Sequence, residues 1–172
     1  MSIQNGMDLQ LTQKLALVTG STAGIGFAIA HRLAREGARV IVNGRTAARV
    51  EEASRKILEQ VPGAQLATFA GDLSTPEAAQ ALTSRFDQVD ILVNNLGVFT
   101  PKPFEEITDA DWSTMIEANF MSGVRLSRHY LPKMKQAGWG RIVFISSESA
   151  VHIPVEMIHY GVTKTMQVAL AR

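Results

Sequence analysis

The sequence predicts a doubly wound α/β fold built on a parallel sheet. Three features point there: short β-rich apolar runs, longer helix-periodic segments between them, and glycine or cap residues at the junctions. Strands buried on both faces read as nearly continuous apolar runs, and regular strand-helix alternation is the pattern of crossover units. Strands are expected at 14–19, 39–43, 65–70, 90–94 and 141–146. Helices are expected at 26–36, 46–60, 76–85 and 109–136, with a further one beginning near Tyr160. Thr75-Pro76-Glu77 supplies a cap, a proline at the first helical position and an acid in the first turn. Thr108 to Asp111 has the form of a capping box with aspartate in place of glutamate. Gly37, Gly63 and Gly138 stand where helices should end.

Composition narrows the functional classes. A chain of 172 residues is one domain, with no internal repeat or linker. Its 17 basic and 16 acidic residues are interspersed and give a net charge of +1, so nothing favours nucleic acid or an anionic membrane as partner. The absence of cysteine excludes disulfides, thiolate catalysis and cysteine-ligated metals. "MSIQNGMDLQLTQK" has neither the apolar core nor the basic lead of a secretory signal. No run approaches the roughly 20 apolar residues that a spanning helix needs. The expectation is a cytoplasmic protein.

The first chemistry lies in "ALVTGSTAGIGFAIAHRLAREGA". Gly20, Gly24 and Gly26 punctuate the turn between strand one and an apolar-periodic helix. Glycines here permit a tight turn, close approach of a pyrophosphate and close packing of helix on strand. The helix N-terminus then offers free N–H groups and partial positive charge. At the end of strand two, an NAD site carries an acid about 20 residues beyond the glycines. This sequence has Asn43-Gly44-Arg45, and its first acid is Glu51, inside the next helix. Without that carboxylate a 2′-phosphate meets no repulsion, and Arg45 can pair with it, so NADP is favoured over NAD.

The second stretch is "SSESAVHIPVEMIHYGVTK". Tyr160 and Lys164 are four apart and share a helix face, with Ser147 thirteen residues upstream of the tyrosine. A neighbouring ammonium and the positive end of a helix both favour a phenolate, which makes a tyrosine usable in acid–base chemistry. Taken alone, such a pair more often means a partly exposed tyrosine beside a solvated lysine. His152 and His159 lie close by in sequence but without metal-ligand spacing, so loop or substrate-wall roles are expected for them.

Taken together these motifs resemble the classical short-chain dehydrogenase/reductase family. The matching segments, in the family's order, are Thr19 to Gly26, Asp72 in "GDLS", Asn94-Asn95-Leu96-Gly97, Asn119 in "EANF", Ser147, and Tyr160 to Lys164. The resemblance implies a Rossmann fold with five of the usual seven strands. It implies that Gly20, Ser21, Thr22, Gly24, Ile25 and Gly26 cradle the cofactor phosphates and adenosine ribose. Asp72 would accept from the adenine amino group with Leu73 beside the ring, and Asn94 and Gly97 would line the path to the nicotinamide ribose. Tyr160 would exchange a proton with the substrate oxygen, Ser147 would polarise that oxygen, and Lys164 would bind the nicotinamide ribose and favour the phenolate. Asn119 would hold a water linking Lys164 to solvent. The substrate would be a small carbonyl compound or alcohol, and the assembly a homodimer or homotetramer.

Ser146 and Ser149 rival Ser147, and Asp72 and Asn119 also admit purely structural readings as a helix cap and a backbone-satisfied polar group. Leu96 departs from the family's usual alanine, so a larger side chain must be accommodated beside the cofactor or in the sheet. Family chains also continue past the position of Arg172, through more helix and two further strands. The C-terminal part is therefore expected to be missing, leaving strand five as a sheet edge. A non-catalytic nucleotide-binding or dimerising remnant, or an epimerase or dehydratase of the same fold, are the alternatives to an oxidoreductase.

Overall fold

A computed structural model describes residues 9–172; the first eight residues, which open the stretch read above for a secretory signal, lie outside the described residues. Five strands form one parallel sheet in the order β3-β2-β1-β4-β5. They are β1 (Leu15–Val18), β2 (Arg39–Gly44), β3 (Leu66–Ala70), β4 (Ile91–Asn94) and β5 (Arg141–Phe144). The helices are α1 (Gly24–Arg35), α2 (Ala47–Gln60), α3 (Pro76–Arg85), α4 (Asp109–Ile116), α5 (Ser122–Gln136) and α6 (Ile158–Leu170).

Alternation along each strand sends side chains to two separate cores. Ala16, Val18, Val40 and Val42 pack under α1 and α2 with Ala30, Ala34, Val50 and Ile57. Leu17, Ile41 and Leu92 face the other way and pack under α3 and α5 with Leu82, Leu126 and Tyr130. The register places Ile41, Leu17 and Leu92 in one row across the sheet, each fully buried. Burying a leucine or isoleucine contributes about 1.5–3 kcal/mol, so this row is a principal anchor of the second layer. The Tyr130 hydroxyl donates to the Phe86 carbonyl at 2.8 Å, so the phenol's polar end is satisfied within that core. Burial pushes this phenol upward in pKa, so it stays neutral.

The local signals behave as their chemistry requires. Thr75 accepts from the Ala78 amide at 3.2 Å, and Thr108 and Asp111 form a reciprocal capping box. Gly37, Gly63 and Gly138 close their helices with positive φ. The expected 109–136 helix is interrupted: residues Glu117–Met121 form a π turn between α4 and α5. Within this turn the Asn119 amide reaches off the helix to pair with the Val98 main chain in both directions. Strand β5 is an edge of the sheet, as expected; Ile142 packs into the α3/α5 core while Val143, on the opposite face, is 43% exposed. Chain order reverses between β1 and β4, and the crevice that opens there, outside the carboxyl ends of the strands, is where such sheets bind ligands.

Candidate active site

The crevice is floored by the turn after β1. Gly20 has φ +62°, and its N–H donates to Asn43 Oδ1 at 3.0 Å. Asn43 also donates to the carbonyls of Phe69 and Gly71, so one buried side chain ties the ends of β1, β2 and β3 together. From the other side, Asn95 Nδ2 donates to the carbonyls of Thr19 and Gly20 at 2.9 and 3.1 Å. Thr19 Oγ1 accepts from the amides of Asn95 and Leu96. Ser21 is fully buried and its hydroxyl accepts from the Asn43 amide at 2.9 Å, so it braces the turn rather than facing the crevice. Helix α1 begins at Gly24; Ala23 before it offers no side-chain cap, and its first turn carries no acid. Its first N–H groups and dipole therefore remain available to an anion.

A cleft of about 770 Å³ runs from this turn between the ends of β2 and β3 to the start of the β4–α4 connection. Gly20, Thr22, Arg45, Asp72, Leu73 and Gly97 all line it, with Arg49 one helical turn beyond Arg45. Ile25 is 64% exposed at the helix mouth. Asp72 spends Oδ1 on the Ser74 amide and hydroxyl, so it caps its own turn while standing in the cleft wall. Leu96 does both things its size allows, lining the cleft and packing on the α3/α5 core. Asn94 is turned away: it is 4% exposed and its Nδ2 donates to Ser127 on α5.

At the far end of the β4–α4 connection Asn119, Tyr160 and Lys164 meet around α6, and Ser147 stands at the start of the 3-10 turn that precedes it. Lys164 is 4% exposed and its ammonium donates to the Ile145 carbonyl at 2.7 Å and to Gln167 Oε1 at 3.2 Å. The same nitrogen lies 5.5 Å from the centre of the Tyr160 ring, whose edge packs on Phe99 with centroids 6.0 Å apart. Asn119 holds both polar atoms of Val98 and donates to Thr163 Oγ1 at 3.0 Å, fixing the π turn against α6. Ser146 is engaged with the Lys164 carbonyl at 3.2 Å, whereas Ser147 opens a 3-10 turn by accepting from the Ser149 amide. Of the rival serines, Ser146 therefore has its hydroxyl on the α6 backbone, while the Ser147 hydroxyl keeps its proton free to donate. His159 is 1% exposed and edge-on to Trp112 at 5.9 Å, so it is a core residue and not part of a substrate wall. Among the described residues no cluster has metal-ligand composition, and no helix is long and apolar enough to cross a membrane.

Sequence reading left Asn43, Asn95, Thr19, Arg49 and Gln167 without roles. The paired asparagines and Thr19 sit inside motifs it singled out; Gln167 carries no local signal at all.

Burial lowers the Lys164 ammonium from 10.5 to about 8. Between those values the unfolded chain holds a proton that the folded chain has released. The cost to stability is therefore full below pH 8 and fades as pH rises towards 10.5. Lys164→Met is expected to be about 1–2 kcal/mol more stable than the parent near pH 7, after an offset for the acceptors left at Ile145 and Gln167. Urea denaturation at about pH 7 and about pH 9.5 checks the sign: the advantage should shrink at the higher pH.

A parallel sheet in this order, with a glycine turn at its switch point and a Tyr–Lys helix beyond β5, defines a Rossmann-type α/β protein. The chain belongs to the short chain dehydrogenase family, whose defining pattern matches residues 14–172. It is 48% identical over 166 residues to YvaG, an uncharacterized oxidoreductase of Bacillus subtilis, covering 96% of this chain and 63% of that protein. The fold is similar to that of L-sorbose reductase from Gluconobacter frateurii, solved with NADPH and L-sorbose: TM-score 0.88, 35% identity, 95% of this chain and 64% of that one. A 7α-hydroxysteroid dehydrogenase solved with NADH is also similar, with TM-score 0.85 and 34% identity over 93% of this chain and 63% of that one. The chain thus spans less than two thirds of the length of these relatives.

Proposed function

We infer that this chain forms the cofactor-binding and proton-transfer part of an NADP-dependent oxidoreductase acting on a small carbonyl compound or secondary alcohol. The observation that carries the reading is the meeting of Tyr160, Lys164, Asn119 and Gly97 at the end of a cleft that begins on the glycine turn. The residues fit a dinucleotide. Gly20, Thr22, Gly24, Ile25 and Gly26 present the turn and the uncapped helix to phosphate, with Ser21 holding their geometry from below. Asp72 keeps Oδ2 for the adenine amino group, beside Leu73. A nicotinamide at the Gly97 end would supply the hydride to a carbonyl carbon or accept it from an alcohol carbon. Tyr160 gives its proton to the substrate oxygen in reduction and takes one from it in oxidation, and Ser147 orients that oxygen as an oxyanion donor. Lys164 contributes positive charge beside the phenol and a donor for the ribose. Asn94 acts from behind, bracing β4 against α5. The whole protein would assemble as a homo-oligomer.

The preference for NADP is supported by what stands at the end of β2. Asn43 points down into the turn, no carboxylate replaces it, and Arg45 and Arg49 are both exposed at the mouth of the cleft. Fluorescence titration with NADPH and NADH tests the assignment. NADPH should bind more tightly, and Arg45→Ala should weaken it roughly tenfold while changing NADH by less than about twofold. Tighter NADH binding by the parent chain overturns the cofactor choice. NADPH oxidation with a panel of ketones and aldehydes then tests the reaction.

A further inference from the structure

Gln167 lies almost one turn beyond Lys164 on α6 and is 1% exposed. An apolar side chain of similar volume would fill this place without the cost of desolvating an amide. Yet both ends of the amide are used, and both on residues of the site. Its Oε1 accepts from Lys164 Nζ at 3.2 Å, and its Nε2 donates to the Asn119 carbonyl. An ammonium has three N–H donors and no acceptor. The Ile145 carbonyl takes one and Gln167 takes the second, so two acceptors on fixed elements define where the third must point. Space is left for it at Gly97, where an added Cβ would lie 3.6 Å from Lys164 Nζ and 3.5 Å from Asn119 Oδ1. Asn119 is itself locked to Val98 and Thr163, which makes it a firm anchor.

We propose that Gln167 is a positioning residue: it ties the Lys164 ammonium to the Asn119 main chain and keeps the remaining N–H directed at the open side beside Gly97 and Tyr160. The link between the π turn and the lysine is then made through a side-chain amide of this chain. The inference rests on the role given to Lys164 above, but the coupling is measured without dinucleotide or turnover. Acceptor loss and acceptor charge should move the lysine in opposite directions, which a filler of space cannot do.

The experiment is NMR titration of the Lys164 side chain in the parent, Gln167→Met and Gln167→Glu. Met keeps the volume but removes the acceptor, and the Lys164 midpoint should fall by about one unit; Glu should raise it by at least as much. Midpoints that shift in the same direction in both folded variants, or stay within roughly 0.3 unit of the parent, overturn the proposal. If neither variant folds, the parent decides. Its Gln167 side-chain amide protons should exchange slowly and shift with the same midpoint as Lys164, and signals indifferent to that titration overturn it. Failure of the parent to bind NADPH counts against the function proposed above, not against this coupling.

Discussion

Gly26→Ala is expected to destabilise the fold by about 1–3 kcal/mol and to abolish dinucleotide binding. A Cβ at this position would lie 2.4 Å from Asn95 Nδ2 and 2.5 Å from the Gly20 carbonyl oxygen. The asparagine could swing away only by surrendering its bonds to Thr19 and Gly20, and the carbonyl belongs to a backbone held by Asn43. Relief must therefore come from moving α1 off the sheet, which displaces the N–H groups proposed to hold phosphate. Gly24→Ala is the control: nothing lies within 4 Å of its Cβ, and only its φ of +55° opposes substitution. That backbone term costs about 1–2 kcal/mol and leaves the helix where it is. Urea midpoints with NADPH titration distinguish the two. A Gly26→Ala protein that still binds NADPH as the parent does would show that the close packing of helix on turn is dispensable.

Tyr160→Phe should lower carbonyl reduction by about 10²–10⁴-fold, the usual worth of a positioned general acid. The ring itself is retained, with its edge contact to Phe99 at 6.0 Å and the Lys164 ammonium 5.5 Å away. Only the hydroxyl is lost. The dissociation constant for NADPH should therefore stay within about twofold, and the defect should fall on the chemical step. Steady-state rates with a reactive ketone, set beside a binding titration, check this. Undiminished turnover would assign the proton to another group. The same variant separates an oxidoreductase from a binding remnant, because a remnant has no rate to lose.

The lysine ties these effects together. Its burial weakens the fold below pH 8 and at the same time places a charge beside the phenol, so stability and the proposed chemistry oppose each other at one residue. Methionine at that position would favour the fold and remove the charge.

Much of the site was legible because it is written in local chemistry. The glycine turn, the missing acid after β2, the i, i+4 tyrosine and lysine and the caps at Thr75 and Thr108 depend on neighbours in sequence, and sequence displays them. The π turn was not legible, because asparagine inside a helix is only mildly unfavourable and its partner, the Val98 main chain, lies 21 residues away. The same holds for Asn95 and Asn43, whose partners come from other strands. His159 misled for the converse reason: nearness in sequence to the site suggested a loop or substrate-wall role, but the neighbouring residue on a helix points about 100° away, and there it packs on Trp112.

The sequence by itself determined the parallel α/β architecture, the order of its strands and most of its helices, and the residue types proposed for phosphate, ribose and proton transfer. Periodicity, capping and turn preferences are short-range and survive without a fold. Only the tertiary structure decided which serine is spent on the α6 backbone, where Asn94 and Ser21 point, and that Gln167 joins Lys164 to Asn119. Apart from the local Lys164–Gln167 contact, those outcomes turn on hydrogen bonds between groups 18 to 48 residues apart, which exist only once the fold has brought the strand ends, α5, the π turn and α6 into place.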